Sequence, residues 1–322
     1  MLTFGRHVSK LSGYAPALPT PFTADGTIDF GAFERLCELQ IAHGATALVV
    51  CGTTGEAPTL TAKEQRALID ATVRVARGRV PVIAGAGSNS TAHAIELARN
   101  AETAGADAIL SVVPYYNKPT QAGLCEHFRA VAAATGLPVI LYDVPSRTAC
   151  GLADETIGRL AELPQFIGLK DATGDLSRPL RLKGRLPAQF RLLSGDDATA
   201  LAFIAQGGHG CISVTSNVMP SLCRVMFLAC RNYQAATTQR LAAPIAQLTA
   251  VLFRETNPAP LKYALSLLGL MSATLRLPLV VPSDDVQAEI ASVVTRLAVE
   301  YSDHMIGTIS PPEHRGRSIA VA

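Results

Sequence analysis

Short apolar, β-branched runs alternate with longer amphipathic stretches from about residue 15 to residue 214, and no other feature constrains the fold as much. The runs at 15–19, 46–51, 80–84, 107–112, 138–142, 166–170, 190–193 and 209–214 predict strands. The segments between them predict helices, among them 30–42, 62–76, 92–104, 122–133 and 196–205. Strands separated by helix-length segments pair in parallel, with the connecting helices laid over both faces of the sheet.

A weak internal repeat sharpens this reading. His43-Gly-Ala-Thr-Ala-Leu48, Ala104-Gly-Ala-Asp-Ala-Ile109 and Gln206-Gly-Gly-His-Gly-Cys-Ile212 each stand where a helix hands over to a strand. Glycine there accepts the left-handed conformation that ends a helix. Repeated βα units of this kind favour a closed (β/α)8 TIM barrel. The alternative is a Rossmann sheet, but the glycine-rich turn Gly85-Ala-Gly-Ser-Asn-Ser90 lacks the third glycine of that fingerprint. After Val214 the pattern changes, and 222–231, 235–253, 260–270 and 284–301 read as helices with no strands between them. The expected organisation is a barrel over residues 13–231, a C-terminal helical appendage over 232–301 and a flexible tail over 302–322.

Composition narrows the function. A formal net charge of +2, evenly spread, gives no footprint for nucleic acid or an anionic membrane, and the lack of Trp argues against a base-stacking platform. No run approaches the roughly 18 apolar residues of a spanning helix, and residues 1–21 hold nothing resembling a signal peptide. The seven cysteines are scattered and form no C-x-x-C pair, which suits free thiols in a reducing cytoplasm. The seven histidines show no H-x-x-x-H or H-x-E spacing, and neither a P-loop nor a G-x-S-x-G elbow is present. No metal or organic cofactor is therefore expected.

In a parallel barrel, reactive side chains gather at the C-terminal ends of the strands. Of the six lysines, only Lys170 ends an apolar strand. A lysine there leaves water, which disfavours the ammonium and supplies the neutral amine that Schiff-base chemistry needs. The plain alternative is a lysine paired with a carboxylate such as Asp171. Tyr142 ends the preceding strand, and its phenol can pass protons. Arg147 follows shortly and offers a planar fork for a carboxylate. Strand 2 runs into Cys51-Gly-Thr53-Thr54-Gly-Glu56, where backbone N–H groups and two hydroxyls suit a small anion. Strand 4 leads to Pro114-Tyr-Tyr-Asn117, which places two phenols at the rim. Each signal is modest alone; together they point to one site.

Gly52-Thr-Thr-Gly-Glu56, Tyr142-Asp-Val-Pro-Ser-Arg-Thr148 and Gly168-Leu-Lys-Asp-Ala-Thr-Gly174 resemble the dihydrodipicolinate synthase / N-acetylneuraminate lyase family, from about Gly13 to Ala298. Pro114-Tyr-Tyr-Asn-Lys-Pro119, Leu193-Ser-Gly-Asp-Asp-Ala198, Gly207-Gly-His-Gly-Cys-Ile-Ser-Val214 and Asn257-Pro-Ala-Pro-Leu-Lys262 are similar to its synthase branch. The resemblance implies that Lys170 forms a Schiff base with pyruvate and that the resulting enamine attacks L-aspartate 4-semialdehyde. It implies a proton relay of Thr53, Tyr142 and Tyr116, the last reaching in from a neighbouring subunit of a homotetramer built as a dimer of dimers. It further implies that Thr54 helps hold the pyruvate carboxylate, that Arg147 orients the semialdehyde, and that the carbonyls of Gly195 and Ile212 line the wall.

Two positions depart from the family pattern. Asp143 replaces the usual Asn after the relay tyrosine, and Asp171 replaces the usual Glu after the lysine. A carboxylate beside a phenol raises the phenol's pKa. Lysine-regulated relatives carry a histidine and a glutamate at the effector pocket, where this chain has Gln65 and His93, while Asn89 and Tyr115 remain. Weak or absent inhibition by L-lysine is the expectation. The alternatives are another pyruvate-dependent class I aldolase or dehydratase, acting on sialic acid or a keto-deoxy-sugar acid, and a barrel that binds keto acids without turnover.

Overall fold

The apolar runs are buried on both sides, and their side chains divide by the period of two that a strand imposes. Val49 points into the barrel lumen with Ala15, Ile83, Leu110, Ile140 and Ile212, while its neighbours Leu48 and Val50 join the layer between strands and helices. The computed structural model describes residues 11–308 and contains eight strands: β1 Gly13–Pro16, β2 Leu48–Val50, β3 Val82–Gly85, β4 Ala108–Val112, β5 Val139–Asp143, β6 Phe166–Asp171, β7 Arg191–Ser194 and β8 Gly210–Ser213. All pair in parallel in the order β1-β8-β7-β6-β5-β4-β3-β2. A single parallel bridge, Ala17 to Val49, brings β1 to β2 and closes the barrel, with Leu18 N–H donating to the Val49 carbonyl at 2.9 Å.

The first strand lies earlier than its expected span of 15–19. It starts at Gly13, where a Cβ would stand 2.8 Å from Thr46 Cγ2, and it ends at Pro16, after which Ala17 and Leu18 turn to β8 and β2 with single bonds to Ser213 and Val49.

Helices α1 Phe30–Ala42 and α2 Ala62–Ala76 match their expected spans end to end. Local capping explains this. Asp29 accepts from Ala32 N–H, and Thr61 and Glu64 form a reciprocal capping box. Helices α3 Thr91–Thr103 and α4 Gln121–Ala133 follow β3 and β4, and α5 Asp154–Ala161 and the six-residue α6 Arg178–Lys183 follow β5 and β6. Helix α7 covers only Ala200–Ala205, not 196–205. Asp196 and Asp197 are drawn off into side-chain bonds: Asp196 accepts from Thr199 Oγ1 at 2.6 Å, and Asp197 accepts from Ser213 Oγ and from Val214 N–H.

After β8, α8 Pro220–Arg231 completes the outer ring, and α9 Ala235–Leu252, α10 Ala259–Leu267 and α11 Asp284–Glu300 form the appendage. The expected tail from Ser302 needs correcting over its first residues. Ser302–His304 form a 3-10 turn, Met305 and Ile306 are buried, and Ile306 N–H donates to Val218 O at 3.0 Å. The remainder, 309–322, lies outside the described residues. Among the described residues no helix is long and apolar enough to cross a membrane.

Candidate active site

Strand β2 ends in a turn that holds two amides open. Cys51 and Glu56 both take left-handed backbone conformations (φ 56° and 55°), bracketing Gly52-Thr-Thr-Gly55. Gly55 N–H donates to Gly52 O and Glu56 N–H to Thr53 O, while the Thr53 and Thr54 N–H groups donate to no protein group among the described residues. Consecutive free amides in a tight turn make an anion cradle. The turn packs closely on β3, because a Cβ on Gly85 would stand 2.0 Å from the Cys51 carbonyl oxygen.

The appendage braces this cradle from behind. The Lys262 Nζ lies 2.7 Å from Glu56 Oε1, both side chains fully buried, and also donates to the Thr20 carbonyl at 2.8 Å. Arg276 N–H donates to the other Glu56 oxygen at 3.1 Å. Burial pushes the Lys262 ammonium down from its ordinary value, and Glu56 opposes the shift. Asn257 bridges two elements of the mouth: its Nδ2 donates to Thr54 Oγ1 at 3.0 Å, and its carbonyl accepts from Arg147 Nη2 at 3.3 Å. Arg147 itself sits on the single helical turn Pro145–Thr148 that follows β5.

Lys170 is buried on β6, in register with Tyr142 on β5 and Leu193 on β7. Its Nζ lies 4.1 Å above the Tyr142 ring centroid. Gly195 makes room for it, since a Cβ there would stand 3.0 Å from both Lys170 Cγ and Cε. The ion pair considered with Asp171 does not form. Asp171 accepts instead from Thr173 Oγ1 at 2.6 Å and from Arg178 Nη1 at 3.3 Å, on the outer side of the strand. Asp143 pairs with the same guanidinium at 2.8 Å, so its charge is balanced away from the lumen. Burial raises the Asp143 carboxyl and Arg178 pulls it back.

Thr53, Tyr142 and Arg147 line one cavity of about 380 Å³, which continues to Gln65, His93 and Tyr115. The hydroxyls of Thr53 and Tyr142 and the Lys170 amine take part in no protein hydrogen bond among the described residues, which leaves all three for a ligand. Ile212 lies in the lumen on β8, outside the cavity wall. Tyr116 stands apart: it is 89% exposed on a loop with a left-handed backbone (φ 73°) and does not line this cavity of its own chain. Arg178, Asn257 and the Glu56–Lys262 pair received no role from the sequence. The available signal for Arg178 was a pair of aspartates directly after Tyr142 and Lys170, which period-two alternation turns outward and which require a cation.

The chain is similar to known proteins over most of its length. The model of the dihydrodipicolinate synthetase family matches residues 10–297. The 4-hydroxy-tetrahydrodipicolinate synthase of Acidiphilium cryptum is 50% identical over 287 residues, covering 89% of this chain and 98% of that one. That of Rhizobium meliloti is 51% identical over 279 residues, covering 86% and 95%. Among solved structures, the synthase of Methylacidiphilum fumariolicum superposes with a TM-score of 0.88 at 38% identity, covering 91% of this chain and 98% of that one. The Acinetobacter baumannii synthase, solved with pyruvate, gives 0.86 at 42%, covering 88% and 98%. By the length of the match and the fold, the chain belongs to the dihydrodipicolinate synthetase family.

Proposed function

We propose that the chain joins pyruvate to L-aspartate 4-semialdehyde, forming 4-hydroxy-tetrahydrodipicolinate through a Schiff base on Lys170. The observation that carries the reading is a buried Lys170 amine, without a hydrogen-bond partner among the described residues, over the ring of Tyr142, which lines the same cavity as Thr53 of the turn with free amides. The Lys170 amine adds to C2 of pyruvate, and loss of water gives the imine. A proton leaves C3 to give the enamine, whose C3 bonds to the aldehyde carbon. The amine of the semialdehyde then closes on C2 and releases Lys170.

Each neighbour has a task that fits its place. The Thr53 and Thr54 amides and hydroxyls hold the pyruvate carboxylate. Tyr142 and Thr53 carry protons to and from the carbinolamine. Arg147, tied to the Asn257 carbonyl, receives the semialdehyde carboxylate. The backbone carbonyls of Gly195, packed against Lys170, and of Ile212, in the lumen, are assigned to contact the bound substrate. Tyr116, exposed on its own chain, completes the relay of a second copy within a homotetramer. Seven free cysteines suit the reducing cytoplasm in which such an enzyme would work.

The test is a coupled assay of purified protein with pyruvate and aspartate semialdehyde, run beside sialic acid and keto-deoxy-sugar acids. Turnover with the semialdehyde alone supports the reading. Cleavage of a sugar acid in its place assigns the sister activity, and imine formation without any turnover assigns a keto-acid binder.

A further inference from the structure

Arg178 is a buried cation of the barrel whose guanidinium makes four hydrogen bonds. It is 3% exposed, is the first residue of α6, and does not line the cavity of Thr53, Tyr142 and Arg147. Its Nη1 donates to Asp143 Oδ2 at 2.8 Å and to Asp171 Oδ2 at 3.3 Å, its Nε to Asp154 Oδ1 at 3.1 Å, and its Nη2 to the Leu152 carbonyl. Asp154, at the start of α5, is shared with Arg181. Asp143 also accepts from Leu152 N–H at 3.2 Å.

The positions of those acceptors matter more than their number. Asp143 and Asp171 are register partners, one residue beyond the register pair Tyr142 and Lys170. Leu152 closes the loop that starts at Val144 and carries Arg147. One guanidinium therefore fixes the end of the strand bearing the proposed nucleophile, the end of the strand bearing the proposed proton carrier, and the base of the loop bearing the proposed carboxylate fork. A planar fork with fixed donor directions can hold three such elements at set angles; a lysine ammonium cannot. A hub needed only for folding could bind acids anywhere on these helices. Here its two closest strand partners directly follow the residues that carry the chemistry.

We propose that Arg178 is a positioning residue for the condensation, setting the Lys170–Tyr142 register and the Arg147 loop from the outer face of the barrel. The proposal rests on the roles given above to those three residues. The Thr53–Thr54 cradle takes no hydrogen bond from Arg178: Glu56 and Lys262 brace it, and its one link to the Arg147 loop runs through Asn257.

The test follows borohydride trapping of pyruvate on Lys170 in wild type, Arg178→Lys and Arg178→Met, with the folded fraction measured by thermal unfolding. Misplacement of reacting groups by about 1 Å costs on the order of 10²-fold in rate. The expected result for Arg178→Met is a trapping rate constant lower by about that factor per folded molecule, with half-saturation for pyruvate unchanged and KM for the semialdehyde raised. Arg178→Lys keeps the charge and is expected to recover most of the stability but only part of the rate.

If Arg178→Met leaves carboxylates unpaired and fails to fold, the triple variant Arg178→Met/Asp143→Asn/Asp171→Asn removes the buried charges and is read the same way. A wild-type rate constant per folded molecule in Arg178→Met or the triple variant would overturn the proposal, leaving Arg178 a stabilising residue only. Absence of trapping in the wild type would overturn the Schiff-base reading instead, so the two failures are distinct.

Discussion

Lys170 and Tyr142 are register partners on adjacent parallel strands, and the lysine nitrogen sits 4.1 Å above the centre of the phenol ring. The ring supplies both a packing surface and, at its edge, a hydroxyl. These contributions separate in Tyr142→Phe, which keeps the ring and loses only the proton carrier. The variant is expected to unfold within about 1 kcal/mol of wild type, because the lost hydroxyl makes no protein hydrogen bond among the described residues. Its kcat should fall by roughly 10²–10⁴-fold, the range for a lost general acid–base group. Steady-state rates beside a urea unfolding curve check both.

The exposure of Tyr116 predicts a site shared between copies. A mixed dimer of Lys170→Ala and Tyr116→Phe subunits would contain one site with both defects and one with neither. Activity should therefore reappear on mixing two inactive parents. Mixtures with proven subunit exchange that stay inactive would place Tyr116 outside the relay.

L-lysine should inhibit weakly or not at all. Gln65 donates its amide to the Ala57 carbonyl at 3.2 Å, and His93 Nδ1 lies 3.3 Å from Ser88 Oγ. Neither offers the carboxylate that would pair with a lysine ammonium, although both line the cavity. A missing charge-assisted bond is worth roughly 1.5–3 kcal/mol, about one to two powers of ten in affinity. Initial rates at saturating pyruvate across a lysine titration decide it, and strong inhibition below millimolar lysine would contradict the expectation. His93→Glu with Gln65→His should increase sensitivity.

Stability at low pH should depend on Glu64. The Arg276 guanidinium, with help from Thr61, holds its carboxyl down from 4.5 to about 2, despite some burial. A depressed carboxylate stabilises the fold fully above its unfolded value and loses that contribution as pH falls through its folded value. Between pH 4.5 and about 2 the midpoint of thermal unfolding should therefore fall less steeply in Glu64→Gln than in wild type. Equal slopes would mean that the Arg276 pair contributes nothing to acid stability.

The barrel was legible because every strand is buried on both faces, so each left an apolar run of distinctive length, and because caps at Asp29 and Thr61 marked two helix starts. Helix α7 was read too long, since Asp196 and Asp197 serve turns rather than the helix. Six residues, as in Arg178–Lys183, are too few to show a helical period. Lys170 stood out as the one strand-end lysine among six. What holds the site did not. Glu56 and Lys262 are 206 residues apart, and Arg178 takes its partners from two strands, one helix and a loop, so these pairings appear only when the chain is folded. The residues themselves placed Tyr116 only at the rim; its relay role in a neighbouring subunit entered through family resemblance, since it does not line this cavity of its own chain.

The most direct test of the mechanism is to identify the residue that captures pyruvate. Protein treated with pyruvate and borohydride, then digested and mapped by mass spectrometry, should carry an N-(1-carboxyethyl) group on Lys170, with Lys170→Ala left unlabelled. Labelling of Lys262, which is also buried, or no adduct at all, would contradict the assignment of Lys170 as the nucleophile.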